Sequence, residues 1–315
     1  MVGIDDVNDA EVLDLDLPNM RMRALAWGPQ SGRLLLCVHG FPDSAVGWRL
    51  LAPMLAAKGY RVVAPFTRGY WPSELPADGN YQIGALMSDL YDLHESLGGP
   101  RDAVLVGHDW GGWTTNAIAA DPDSPFAEHI SMALPPVSEI GPDRSPRGLR
   151  AAAKLGLPQL RRSWYVMFFQ LPGLPERLVH RIIPKLWRDW TPAGIDVTDG
   201  IAAALDALPT IAHRRAAVSY YRSAARLWAK PLPEYAATHP YRYAAPRAPM
   251  LIVHGIEDGA MGVGYTDALA DRLPPGSRVE VIAGAGHFVQ LDQPRAVCDV
   301  ILGYLQDRSA ANEAS

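Results

Sequence analysis

The residues best suited to chemistry lie in a glycine-flanked turn in the first half of the chain. Asp109 stands between Gly107 and Gly111 in the run GHDWG, after the apolar run DAVLV and before a helical pattern. A strand, tight turn and helix in this order make a nucleophile elbow, where small residues let a cramped backbone hold a nucleophile above the sheet. Asp also caps helix N-termini well, so a purely structural residue is the alternative interpretation.

Two further motifs contain a histidine or a carboxylate beside an apolar run. The segment His39–Pro42 follows the first such run, and the GAGH segment Gly284–His287 follows the last. Between them, the run Met250–His254 leads to Asp258. Open α/β sheets place their ligand sites at the carboxyl ends of the strands, so we expect these side chains to meet there. The order favours an acid nucleophile, an orienting acid and a late histidine base.

The elements that position these residues are short apolar runs separated by helical patterns. An alternating stretch, Val12–Trp27, turns at Pro18-Asn19 and predicts an antiparallel hairpin. Apolar residues from Ile83 to Leu97 share one helical face. Continuous runs that predict buried parallel strands are Leu34–Val38, Arg61–Pro65, Ala103–Gly107, Ile130–Leu134, Met250–His254 and Arg278–Ile282. We therefore predict an α/β fold with a mostly parallel sheet covered by helices on both faces.

The strand–helix alternation is interrupted between Leu134 and Pro249, where helical patterns rich in Trp, Tyr, Arg and Pro take over. This interruption predicts a core formed by residues 1–136 and 246–315 and a helical cap formed by residues 137–245. The last helix is expected from Pro294 to Leu305, followed by a mobile polar tail.

Five motifs together resemble the epoxide hydrolase branch of the α/β-hydrolases, over nearly the whole chain. They are HGFP at 39–42, GHDWGG at 107–112, WYVMFFQLPG at 164–173, YYR at 220–222 and GAGH at 284–287. The resemblance implies an α/β-hydrolase fold with an eight-stranded sheet and an inserted cap. It implies that Asp109 is the nucleophile, His287 the general base and Asp258 its orienting acid. It assigns the paired cap tyrosines to Tyr165 and Tyr221.

The chemistry of these residue types agrees with the family's reaction, in which an epoxide and water give a vicinal diol. A carboxylate is ionised at neutral pH and attacks a strained epoxide carbon without a base. Phenols stay protonated and donate hydrogen bonds to the alkoxide that forms. A histidine–carboxylate pair then activates water to hydrolyse the ester. We expect the N–H groups of Phe41 and Trp110 to form an oxyanion hole, and both residues to line the substrate site; no cofactor or metal is implied.

Several nearby residues have a structural interpretation. His39 and His108 belong to turn motifs whose histidines are structural in the resembled family, so neither is expected to transfer protons. Tyr220 is distinguished from Tyr221 only by the position of the YR pair. Trp71-Pro72 departs from the family pattern, in which this loop commonly continues with Gly, and is expected to alter the pocket entrance or the contacts with the cap.

Three other functions fit parts of the pattern. A haloalkane or haloacetate dehalogenase uses the same Asp, His and acid, but it has no necessary use for a tyrosine pair. Phe41 and Trp110 also stand where those enzymes often carry Asn or Arg. A noncatalytic ligand-binding α/β-hydrolase is opposed by the complete triad, and a serine esterase by Asp at position 109.

Composition excludes several classes of protein. The chain has 315 residues, 48% of them hydrophobic and 20% charged, which suits a globular protein with a large core. No apolar run approaches the ~20 residues of a membrane span. With 29 basic and 34 acidic residues and no basic stripe, nucleic acid is not an expected partner. The acidic N-terminus does not resemble a secretory signal, so a cytoplasmic location is expected. The expected partners are a small-molecule epoxide and water. A homodimer is possible, and the sequence does not decide the oligomeric state.

Overall fold

A computed structural model describes residues 7, 9–139, 156–226, 231–267 and 269–313. Its centre is one eight-stranded sheet in the order β1-β2-β4-β3-β5-β6-β7-β8. The strands are β1 (Glu11–Leu17), β2 (Met20–Trp27), β3 (Leu34–Val38), β4 (Arg61–Pro65), β5 (Val104–His108), β6 (Glu128–Met132), β7 (Met250–Gly255) and β8 (Arg278–Ile282).

The strand pairing confirms the predicted fold class. β1 and β2 form the antiparallel hairpin, with Leu17 opposite Met20, and β2 continues antiparallel against β4. All pairs from β4 to β8 are parallel. Strands β3, β5 and β7 are fully buried, as their continuous apolar runs predicted. β6 is also buried, but it begins two residues before the predicted run. The expected burial of β8 was wrong, because β8 is the edge strand of the sheet and is mostly half-buried. The carboxyl ends of β3, β5, β7 and β8 therefore open on one edge, which receives the candidate site.

The described residues contain ten α-helices. They are α1 (Leu51–Ala56), α2 (Ile83–Ser96), α3 (Trp110–Ala119), α4 (156–162), α5 (Trp164–Phe168), α6 (Leu174–Trp190), α7 (Thr198–Asp206), α8 (Ile211–Ala225), α9 (Val289–Asp292) and α10 (Pro294–Glu313). α2 ends just before Gly98, as predicted. Within the described ranges, no helix combines the length and the apolar character that crossing a bilayer requires.

Helices α4 to α8 all follow β6 and precede β7, in the part of the chain predicted to form a cap. Buried side chains of this region, among them Phe169, Ile183 and Trp190, belong to the same hydrophobic cluster as Leu36 of β3 and Leu105 of β5. Segments 140–155 and 227–230 of the predicted cap lie outside the described residues. The division into core and cap thus stays a prediction, while the apolar contact between the two parts is observed.

The C-terminal helix is longer than predicted. α10 continues to Glu313, so the expected helix end at Leu305 and the mobile tail after it were wrong. The physical reason is an anchor beyond Leu305: the Arg308 guanidinium lies 3.0 Å from the carboxylate of Glu128, which is buried on β6. Residues 306–313 also include good helix formers such as Gln, Arg and Ala.

Both cysteines of the chain are free and buried. Cys37 lies within β3, and Cys298 lies in α10. Burial raises the pKa of each thiol above its ordinary value.

Candidate active site

Asp109 occupies a strained elbow between β5 and α3. Its backbone has φ 53° and ψ −113°, a conformation that a non-glycine residue rarely adopts. The flanking glycines are required by close approach. A Cβ at Gly107 would lie 2.1 Å from the Gly111 carbonyl oxygen, and one at Gly111 would lie 2.2 Å from the Val38 carbonyl oxygen. The sequence motif therefore has a packing cause, and the strain lifts the Asp109 side chain above the sheet.

The two oxygens of the Asp109 carboxylate have different surroundings. Oδ1 accepts a hydrogen bond of 2.7 Å from the Phe41 N–H. A Cβ on Gly40 would fall 2.4 Å from this oxygen and 2.5 Å from the Trp110 nitrogen, so only glycine allows the loop to approach so closely. Oδ2 lies 3.6 Å from Nε2 of His287. One oxygen is thus held by a backbone donor, and the other is directed towards the imidazole.

His287 and Asp258 form a buried hydrogen-bonded pair. The imidazole Nδ1 lies 3.0 Å from Oδ2 of Asp258. The other oxygen of Asp258 accepts hydrogen bonds from the N–H groups of Ala260 and Met261, at 2.7 and 2.8 Å. Burial opposes ionisation of Asp258, but the imidazole and these donors outweigh it and lower its pKa. The acid is therefore a fixed carboxylate that orients the imidazole.

Two carboxylates determine the charge of His287. Burial alone would lower the pKa of this imidazole, but Asp258 on one side and Asp109 on the other raise it to about 10. Protonation gives an imidazolium between two negative charges when both carboxylates are ionised. Neutralising Asp109 would remove one of these charges and lower the pKa.

The cap supplies two tyrosines to the same site. Tyr165 on α5 and Tyr221 on α8 are both buried, with ring centroids 5.4 Å apart. Burial raises the pKa of both phenols, so they remain protonated. The Tyr221 hydroxyl is buried and makes no hydrogen bond of regular geometry with another described residue, although Tyr165 and Trp110 lie close enough to affect its pKa. Such a donor is costly unless a ligand completes it.

These side chains share one cavity of about 330 Å³. Asp109 and His287 line it from the core, and Tyr165 and Tyr221 line it from the cap. Trp110 also lines it, while Phe41, which packs against both tyrosine rings, is not part of its lining. The other lining residues are mostly apolar: Trp113, Ala133, Leu134, Val166, Ala224, Ala225, Ala260 and Met261, with Gln159 and Ser163. The volume is within the range of small-molecule sites.

A family model described as alpha/beta hydrolase fold matches residues 33–294, which include the elbow, the acid and the histidine. The chain belongs to the α/β-hydrolase family. This membership and the sheet confirm the fold that the motifs predicted.

Known proteins similar to this α/β-hydrolase include several epoxide hydrolases. Epoxide hydrolase A of Mycobacterium tuberculosis is 28% identical over 92% of this chain and 96% of its own length. Epoxide hydrolase 3 of Xenopus tropicalis is 29% identical over 91% of this chain and 75% of its own length. These relatives agree with the predicted branch of the family.

Solved structures show the same fold in enzymes of two kinds. Epoxide Hydrolase A of Mycobacterium thermoresistibile matches with a TM-score of 0.70 and 23% identity, covering 94% of this chain and 98% of its own. A haloalkane dehalogenase loop variant from Bradyrhizobium elkanii matches with a TM-score of 0.74 and 19% identity, covering 97% and 99%. At these identities the likeness concerns the fold of the α/β-hydrolase alone.

The other histidines near the site make structural hydrogen bonds. Nδ1 of His39 lies 2.9 Å from the Gly40 carbonyl, and its Nε2 accepts from the Thr67 N–H. Nε2 of His108 lies 2.9 Å from the His287 carbonyl. Burial lowers the pKa of His39 to about 4 and that of His108 to about 3, so both are neutral. In the described residues, no group of three or more His, Cys, Asp or Glu side chains is arranged to hold a metal.

Sequence reasoning missed the support that α6 gives to the site. The His287 N–H donates to the carbonyl of Trp190, the last residue of α6, over 2.9 Å, and the two rings pack 4.9 Å apart. The loops of Asp258 and His287 press against this helix end through glycines: a Cβ at Gly259 or Gly286 would lie 2.0 or 2.2 Å from its carbonyl oxygens. The two glycines were the only available signal, and they did not identify their partner.

Proposed function

We propose that this α/β-hydrolase is an epoxide hydrolase that forms a vicinal diol through a covalent ester on Asp109. The observation that carries the proposal is the shared cavity, where two protonated phenols of the cap face the carboxylate and imidazole of the core. The names of the relatives support the same activity.

In the first half-reaction, Asp109 is the nucleophile. Its Oδ1 is held by Phe41 N–H, so Oδ2 is the oxygen available to attack. A bond forms between Oδ2 and one epoxide carbon as the ring C–O bond breaks, which leaves an alkoxide. Tyr165 and Tyr221 donate hydrogen bonds to that oxygen. The Tyr221 hydroxyl gains this hydrogen bond as the alkoxide forms, so the bond stabilises the transition state and not the free enzyme.

In the second half-reaction, His287 is the base. Esterification removes the charge of Asp109, so the pKa of His287 falls and its proton passes to the product alkoxide. The neutral Nε2 then takes a proton from water, which attacks Cγ of Asp109. Negative charge develops on Oδ1, where the Phe41 N–H already lies, and the Trp110 N–H stays the predicted second donor. Collapse breaks the Cγ–Oδ2 ester bond, and the leaving diol oxygen takes the proton from His287. The carboxylic acid left on Asp109, which now carries the oxygen of water, then gives its proton to His287 and restores the starting carboxylate and imidazolium. Asp258 keeps the imidazole oriented throughout.

The second candidate is carbon–halogen bond hydrolysis, because a haloalkane dehalogenase shares this fold. A departing halide is a weak base and needs no phenolic acid, whereas an alkoxide does. The buried Tyr221 hydroxyl, which lines the cavity without a regular hydrogen bond to another described residue, therefore favours the epoxide. A noncatalytic binding protein would not need the hydrogen-bonded His287–Asp258 pair. The cytoplasmic location, the homodimer and the absence of nucleic-acid partners remain predictions from sequence.

A single turnover in water labelled with oxygen-18 tests the ester. Enzyme in excess over an aryl epoxide should give a first diol without label, because its new oxygen comes from Asp109. Peptide mass spectrometry should find the label in the peptide containing Asp109. Label in the first-turnover diol would overturn the mechanism. Halide release from haloalkanes without diol formation from any epoxide would favour the second candidate.

A further inference from the structure

An apolar ridge is exposed on the outer side of the cap. In the part of the chain that the structure describes, fourteen large hydrophobic side chains are exposed, and six of them fall between residues 157 and 174. Two of them lie on α4, two on α5, one in the turn that follows α5, and one at the first residue of α6. We call these six residues the cap ridge: Leu157, Leu160, Trp164, Met167, Leu171 and Leu174.

The cap ridge is unusual in its degree of exposure. Leu157, Leu160 and Met167 are 69%, 70% and 71% exposed. Scattered exposed apolar residues need no explanation, but six of them within eighteen consecutive residues point to an interaction surface. Other residues of α5 belong to the active site: Tyr165 is buried, and both Tyr165 and Val166 line the cavity.

Basic side chains flank the cap ridge. Residues 156–190 contain six Lys or Arg and two Asp or Glu, whereas the whole chain has 29 basic and 34 acidic residues. Arg161 lies one turn after Leu157 on α4, and Arg177 lies one turn after Leu174 on α6. Arg161, Arg177 and Arg181 are exposed, and none of them forms an ion pair with another described residue. Positive charge is thus concentrated around the ridge of an acidic protein.

From this combination we propose that the cap ridge docks on an anionic lipid surface. Apolar side chains that include Trp, framed by Arg, are the composition of helices that lie in the membrane interface. Anionic headgroups complement the arginines, and the acyl boundary accepts the aliphatic side chains. A second copy of this chain fits less well, because a two-fold interface would place the basic frame against itself.

Vesicle co-sedimentation tests this surface with the full-length protein. The protein should bind phosphatidylcholine vesicles that contain phosphatidylglycerol and should be released by high salt. Two double variants should each weaken binding by about tenfold or more. One carries Leu160→Ser and Met167→Ser, and the other carries Arg177→Gln and Arg181→Gln. The matched controls are Leu50→Ser with Ile211→Ser and Arg101→Gln with Arg295→Gln, all at exposed positions outside the ridge. These should bind like the parent.

Several outcomes would overturn the proposal. They are no binding to phosphatidylglycerol vesicles at low salt, equal binding to pure phosphatidylcholine, and equal losses in the control variants. If the ridge variants instead convert a dimer into a monomer in analytical ultracentrifugation, with no vesicle binding by the parent, the ridge is an interface between copies. Should the serine variant prove unfolded by circular dichroism, the arginine variant decides, since its side chains are exposed.

Discussion

Two adjacent tyrosines on α8 have different surroundings, which gives a matched test of the proposed acid. The Tyr220 hydroxyl donates to the Arg68 carbonyl over 2.7 Å, while Tyr221 faces the cavity. We predict that Tyr165→Phe and Tyr221→Phe each slow epoxide opening by about 100-fold. The double variant should be nearly inactive with non-additive losses, because both phenols act on one oxygen.

Pre-steady-state measurement of ester formation checks this prediction. Tyr220→Phe is the control: it removes a buried hydrogen bond, so it should lower the free energy of unfolding by about 1 kcal/mol and leave the opening rate nearly unchanged. Normal turnover by the Tyr165→Phe, Tyr221→Phe double variant would remove the assignment of both phenols.

The pKa of His287 predicts different pH profiles for the two half-reactions. In the free enzyme the raised pKa keeps the imidazole protonated up to about pH 10, so alkylation should be flat through neutral pH. In the ester the Asp109 charge is gone, and hydrolysis should increase with pH through a lower pKa. Single-turnover rapid quench measures both rates. His287→Gln should accumulate the adduct at every pH, and a hydrolysis rate independent of pH would contradict the proposal.

The sequence predicted which side chains meet at the site better than it predicted the contacts that hold them in place. Asp109, His287 and Asp258 were recognisable because each follows a strand, and strand ends converge. Tyr221 was separable from Tyr220 only by motif, since a helix turns 100° per residue and the direction of each side chain depends on packing. The hydrogen bond from His287 to Trp190 joins residues distant in sequence, and no local pattern encodes it.

Among the helices and strands, the C-terminal end of α10 differs most clearly from the sequence prediction. The contact that extends this helix supports a prediction about stability. Arg308→Ala should lower the free energy of unfolding by about 2 kcal/mol, because it leaves the buried Glu128 carboxylate with only the Tyr304 hydroxyl. The neighbouring Asp307→Ala should cost less than ~0.5 kcal/mol, since its ion pair with Arg278 is exposed. Urea titration followed by circular dichroism measures both. Equal effects would show that Arg308 is no anchor.

Element prediction succeeded where one chain segment carries its own periodicity. The hairpin at Pro18 and helix α2 were recovered because alternation and helical spacing are local signals. Strand β6 begins at Glu128 rather than Ile130, because a charged residue there is buried through its partner Arg308. Local hydrophobicity could not reveal a charge that is neutralised by a distant helix.

At the scale of the whole molecule, sheet and cap share one hydrophobic cluster. We therefore predict a single cooperative unfolding transition despite the insertion between β6 and β7. Far-ultraviolet circular dichroism, which follows the whole chain, and fluorescence of cap residues such as Trp190 should give the same urea midpoint. Two separate midpoints would show that the cap unfolds independently of the sheet.

The mostly parallel sheet followed from the sequence, because right-handed crossovers leave few topologies for alternating strands and helices. The order of its strands was not predicted. The size of the cavity did not follow, because it depends on how the cap helices pack on the sheet, and the contacts involved are remote in sequence.

The buried state of Cys37 and Cys298 affects how this protein withstands its proposed substrate. Epoxides alkylate thiolates, and a thiolate is the reactive form of cysteine. Both thiols are inaccessible and have raised pKa values, so both remain protonated. The chain contains no other cysteine. Self-inactivation through sulfur is therefore suppressed, and a long incubation with excess epoxide should leave both thiols titratable after denaturation.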